Sequence, residues 1–324
     1  MPAINLRRVQ IGQQTTFGTP VAATAIIRGV TDASFDVVNQ TEVVQEIGLV
    51  TGSSIVPGSA RMAEGSITFV PSYQDIRYVL QGVFGAPTTT GAADPYTHTW
   101  TAPALQALPS PQIYTIEYGV AGMAYRVNTA IINEFTLTSA AGENVECEVN
   151  FAARSIDTLA SLATLTPRAV DPLSHTHARL WINTNASAYG ATEITGALIR
   201  AEWNVNTGRH MKLFGGSRYP QDWGDGRWES TLTLELEYTG QAKALVDALL
   251  GSEVLRRIRV QWEADTNRRL TVDLFGTLTE NPTLFGDRDG NMTVELTFAA
   301  TVDLNITPSR WCSITLLNNE QTLP

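Results

Sequence analysis

Four histidines and two cysteines are the side chains best suited to metal or nucleophilic chemistry, and their spacing supports neither. Only His175 and His177 stand close enough to share a metal ion, and no cysteine lies near them to complete a tetrahedral set. Cys147 falls in an alternating run where a small buried hydrophobe explains it, and two cysteines are too few for a disulfide framework. Glu146 and Glu148, like Glu235 and Glu237, are two residues apart, which is the spacing of neighbours on one strand face. Glycosidic acid/base chemistry needs carboxylates that flank a bond, so these pairs, with Glu295, read more simply as the wet side of a half-buried sheet. Asp287 and Asp289 beside Gly290 resemble part of a calcium loop, but the alternating oxygen ligands do not run on to a closing glutamate. The Gly-x-Ser-x-Gly, Gly-x-x-x-x-Gly-Lys-Ser/Thr and His-Glu-x-x-His motifs are absent. The expectation is therefore no catalytic residue, no metal ligand and no cofactor.

Tryptophans could stack on sugars, and six of the seven (Trp181, Trp203, Trp223, Trp228, Trp262 and Trp311) fall in the second half of the chain. Trp203 aligns with Phe35 in an internal repeat, which favours core packing. Trp223 and Trp228 lie in a long loop, where an anchor to another subunit is as good a reading as a ligand platform.

The elements that would hold these residues occur twice. Asn144-Val145-Glu146-Cys147-Glu148-Val149-Asn150-Phe151-Ala152-Ala153 matches Asn291-Met292-Thr293-Val294-Glu295-Leu296-Thr297-Phe298-Ala299-Ala300, with Thr136-Leu137 and Thr283-Leu284 upstream at the same spacing. Ala33-Ser34-Phe35-Asp36-Val37 matches Ala201-Glu202-Trp203-Asn204-Val205, and Arg8-Val9-Gln10-Ile11 matches Arg179-Leu180-Trp181-Ile182. In each half a strand leads into a helical pattern that ends at a glycine, Gly85 or Gly251, suited to a left-handed cap. Most other segments alternate with period two, and Asp289-Gly290 suits a tight hairpin turn. The sequence thus predicts a mainly β, α+β protein: two tandem sandwich or barrel domains, residues 1–165 and 166–324, each with one helix. The first copy carries extra residues within 86–112, expected to form a loop. Long turn-rich loops follow Phe35 and Trp203, and they read as arms reaching a neighbouring subunit through Ile55, Val56, Trp223 and Trp228. Residues 310–324, with Trp311 and Cys312, are expected to form a C-terminal arm that could clasp a further copy.

Composition bounds the function. The 324 residues are 43% hydrophobic and 17% charged, a balance suited to a well-buried chain whose surface is partly covered by copies of itself. No apolar run is long enough to span a bilayer, and residues 1–8 lack a signal-peptide core, which predicts a soluble product retained where it is made. A net charge of −10, with lysine at only two of the 22 basic positions, argues against gripping a phosphate backbone. It suits a surface along which DNA slides without sticking.

The run Gly12-Gln13-Gln14-Thr15-Thr16-Phe17-Gly18-Thr19-Pro20, after the short strand of residues 8–11, resembles the opening of the tail-tube proteins of long-tailed, non-contractile bacteriophages. That family often shows Gly-x-Glu-x-Thr-Tyr/Trp-Gly-Thr; Gln14 stands here for the acid and Phe17 for the larger ring. The order of strand, long loop, strand, helix and hairpin is also similar in both halves. The resemblance implies domains that join into a barrel, usually six per ring, so a duplicated chain implies trimeric pseudo-hexameric rings stacked into a tube. It further implies a virion tail assembled in the host cytoplasm, ends met by tail-terminator and tail-tip proteins, and a bore holding the tape-measure protein and then passing DNA without specific binding. On that basis Glu146, Glu148, Glu295, Glu235 and Glu237 are candidates to face the lumen. The competing expectation is a receptor- or glycan-binding β-sandwich on a virion or outside a cell.

Overall fold

Period-two alternation becomes strand along most of the chain. The computed structural model describes residues 7–40, 47–48, 60–102, 108–120, 122–251, 255–279 and 282–323. Its first part runs β1 (Arg8–Gln14), β2 (Ala25–Ile26), β3 (Val30–Gln40), β4 (Ala60–Phe69), α1 (Ile76–Phe84), β5 (Thr88–Thr90), β6 (Tyr96–Thr101), β7 (Ile113–Val120), β8 (Met123–Ala140) and β9 (Glu146–Leu159). After a 3-10 turn at His175–His177 come β10 (Ala178–Thr184), β11 (Glu193–Ile194), β12 (Leu198–Asn206), β13 (His210–Lys212), β14 (Asp222–Gly224) and β15 (Glu229–Glu237). The chain closes with α2 (Gly240–Gly251), β16 (Leu255–Asp265), β17 (Arg268–Leu278), β18 (Thr283–Arg288), β19 (Asn291–Ala300) and β20 (Cys312–Asn318). The protein is mainly β, as the sequence predicts.

The same set of ladders recurs in the two parts. Pairings β1–β2, β1–β7, β7–β8, β8–β9, β4–β9 and β3–β4 have as counterparts β10–β11, β10–β16, β16–β17, β18–β19, β15–β19 and β12–β15. β8 is shared by two sets of ladders. Its first part pairs with β7 and residues 134–140 pair with β12, while β9 follows it along both. Within the first part of β8 a bulge against β7 puts Thr129 at φ 58°, held by Gln14 Nε2 and the Gly18 amide, both donating to Thr129 Oγ1. Later in the chain the corresponding strand is broken into β17 and β18.

The β8–β12 ladder joins the two parts into one antiparallel wall of eight strands in the order β3, β4, β9, β8, β12, β15, β19, β18. Behind it, α1 is buried over every residue. Gly82 lets the helix approach β8, since a Cβ there would stand 2.5 Å from Ile132 Cδ1. Trp203, Trp228 and Trp311 from the later part of the chain close over Phe84 at the end of α1.

Two expectations change. Residues 86–112 hold a hairpin, β5–β6, as well as loop. The segment expected as a free arm supplies β20, which lies between β17 and β6 and so ties the end of the chain to both parts. An open strand on each side, with Cys312, Ile314, Leu316 and Leu317 available to bury, makes this docking favourable within the chain.

Candidate functional site

Strand register decides which side chains share the wall's outer face. Ser34 opposes Ser66, Ser66 opposes Asn150, Asn150 opposes Glu134 and Glu134 opposes Asn206. One row along, Asp32, Thr68, Glu148, Thr136, Asn204 and Thr231 are aligned, and the next row holds Glu146, Thr138, Glu202, Thr233 and Thr297. Beyond these come Arg200, Glu235, Glu295 and Thr283, then Glu237 opposite Thr293. Directly opposed residues of a ladder lie on one face. All five candidate acids therefore share one continuous polar face, with Glu146, Glu148, Glu237 and Glu295 exposed and Glu235 half-buried. The alternate positions, among them Cys147, Val149, Phe135, Trp203, Leu234 and Leu296, are buried on the other side.

Acids prevail on this face. Asp32, Asp36, Glu64, Glu134, Glu202 and Glu229 join the five, against Arg154, Arg200 and Arg288. Glu235 and Glu295 stand directly opposite, an arrangement that costs a ladder stability, and Arg288 reaches Glu235 at 3.4 Å to offset part of it. Asn204 Nδ2 stitches the two parts of the wall together, donating to Glu134 Oε1 at 2.8 Å and Thr136 Oγ1 at 2.9 Å.

The wall has two ends. Among the described residues β3 pairs only with β4 along its length, and β18 only with β19. Their counterparts inside the chain, β12 and the second part of β8, are paired on both sides. Burial reflects this: Val205 on β12 is 0% exposed, whereas its sequence counterpart Val37 on β3 is 48% exposed. Unpaired edges of this length are a standing liability unless something covers them.

The loop residues expected as arms divide. Ile55 and Val56 lie outside the described residues. Trp228 packs on Phe84 and Trp311, and with Trp223 it sandwiches the guanidinium of Arg209 at 5.1 and 5.7 Å. Arg209 donates to the carbonyls of Gly82 and Val83 at the end of α1, each at 2.9 Å, and pairs with Asp225 at 2.9 Å. Burial pulls its ionisation below the ordinary value while Asp225 works the other way. This loop therefore folds back onto the first part of its own chain. The reason is the row of helix-end carbonyls that need donors. Alternation could not reveal this seat; an arginine in a loop with two tryptophans is the one sequence sign of it.

A second buried cluster also escapes alternation. Arg168 pairs with Asp75 at 2.5 Å and with Glu320 at 2.8 Å, and Arg77 donates to the carbonyls of Glu320 and Gln321. Burial lifts the Glu320 carboxyl above its ordinary range, with Arg168 pulling it back. His175, one of the two histidines spaced to share a metal, meets Ser139 Oγ through Nδ1 and the Leu198 carbonyl through Nε2.

No curated protein matches the chain. The model of a family described as phage tail tube protein matches residues 4–300.

Proposed function

Because the chain belongs to the phage tail tube protein family, whose members are structural components of the virion tail, we propose that its copies close into rings that stack into the conduit for genome delivery. The observation that carries this reading is the eight-stranded wall, already joined across β8–β12 and, among the described residues, left open at β3 and β18. A wall with two open, exposed edges is completed when other copies pair with them, and a closed ring leaves no edge exposed.

On this reading residues 1–165 and 166–324 are two tandem tube units, supported by their matching ladders, and three chains make a pseudo-hexameric ring. The polar face lines the bore, with Glu146, Glu148, Glu235, Glu237 and Glu295 turned to it. An anionic wall repels the phosphate backbone, so DNA passes without being held and no turnover is involved. Terminator, tip and tape-measure proteins would meet the ends and bore of the stack.

Electron microscopy of the purified, concentrated chain tests this. Hollow fibres with a regular axial repeat are expected. Discrete particles at every concentration, with saturable glycan binding, would replace the tube by a binding module.

A further inference from the structure

The junction inside the chain also specifies how two chains meet. Resting on the ring reading, we propose that β3 of one copy pairs antiparallel with β18 of the next in one register. Phe35 then stands opposite Leu284 and Asp36 opposite Thr283, with the β18–β19 hairpin tip seated in a basic groove beside β3.

The internal ladder sets Trp203 opposite Leu137 and Asn204 opposite Thr136. Phe35-Asp36 is the sequence counterpart of Trp203-Asn204, and Thr283-Leu284 that of Thr136-Leu137. Transferring the pairing gives the register. β18 then departs from its counterpart by a bulge: Phe285 takes φ 60°, and the β19 pairing shifts between Thr283 and Gly286. The extra residue advances the remainder of β18 by one place, so that Ser34 faces Gly286 and Asp32 faces Arg288. Without the bulge Asp32 would face Asp287, two acids in direct opposition. With it, opposite charges meet, and Arg288 shares the polar face with Asp32.

The hairpin tip has a seat of matching charge. Inside the chain, the β8–β9 tip is held where Trp262 Nε1 donates to Ser139 Oγ at 3.1 Å and the Ala141 amide donates to the Ile199 carbonyl at 2.8 Å. At the equivalent place beside β3 lies an open groove of about 470 Å³ lined by Arg7, Arg8, Arg28, Val30, Asp32 and Tyr118. The tip to be seated there carries the exposed Asp287 and Asp289. Head-to-tail pairing of this kind uses different surfaces on the two copies and gives a ring when the rotation between copies closes.

Disulfide trapping in the full chain tests the register. Asn204 and Thr136 form a non-hydrogen-bonded pair, as the Ala141-to-Ile199 and Thr207-to-Asn133 bonds on either side require, and such pairs bring side chains closest. Asp36→Cys with Thr283→Cys in one chain should give covalent multimers on oxidation, and Ser34→Cys with Thr283→Cys about tenfold less. Asn204→Cys with Thr136→Cys calibrates the geometry as an intrachain bond. The native Cys147 and Cys312 are buried, and burial pushes both thiols up, so background exchange is small. Tubes that form but trap the shifted pair as well as the matched pair would overturn the register and leave the tube reading standing. If the unsubstituted chain forms no tubes and no pair traps, the tube reading itself fails.

Discussion

Arg209 brings a formal charge to a place with almost no water, its side chain 1% exposed, and the fold supplies it with partners on all sides. Two α1 carbonyls, Asp225 and two indole faces take up its donors and its charge. Removing one partner of such a set strands the others. Arg209→Ala is therefore expected to lower stability by about 3–5 kcal/mol in denaturant titrations. Arg209→Lys should recover only part of this, because a single ammonium cannot fork to two carbonyls and stack between two rings. An alanine variant that unfolds like the parent would show that the seat is incidental. Phe285 makes the same point for the backbone, since a non-glycine residue at positive φ in an edge strand shifts every residue beyond it by one place.

At the scale of elements, β20 has the most to say. It contributes ladders to β17 and β6 and buries Cys312, Ile314, Leu316 and Leu317. The cluster of Arg168, Asp75 and Glu320 then fastens the chain just beyond the strand. Fully buried aliphatic side chains are worth about 1.5–3 kcal/mol each, and net folding stability is only about 5–15 kcal/mol. Ending the chain after Ser309 should therefore unfold or aggregate the monomer, read by circular dichroism and size-exclusion chromatography. A projecting arm would behave differently: its loss would spare the monomer and spoil only assembly. A truncated chain that melts like the full-length protein and fails only to assemble would restore the arm.

For the whole molecule the net charge of −10 acquires a location. Acids gather on the uncovered face of the wall, while the arginines of the groove beside β3 sit at one of its ends. If that face lines a bore, its charge governs what slides through. Replacing Glu148, Glu235 and Glu295 together by lysine should leave the tubes intact but make them retain DNA in sedimentation at low salt, the retention falling as salt rises. Tubes of the variant that hold no more DNA than the parent would take these acids off the bore.

Much of this protein was legible in its residue order because strand alternation is local. Glu146, Cys147, Glu148 and Val149 announce a wet and a dry face without reference to anything distant, and the helices ending near Gly85 and Gly251 are equally self-declaring. Residues 144–153 and 291–300 alternate alike, and both contribute a wall strand, β9 against β4 and β19 against β15. What alternation cannot carry is the identity of the partner. A strand such as β20 has the same pattern whether it docks at home or on a neighbour, and Trp228 packs equally well in either place. Only the tertiary structure decided that β12 lies against β8, that β3 and β18 are each paired on one side among the described residues, and that Arg209 turns inward. Those outcomes depend on which distant edges and carbonyls need covering, and that is a property of the assembled chain rather than of any short stretch of it.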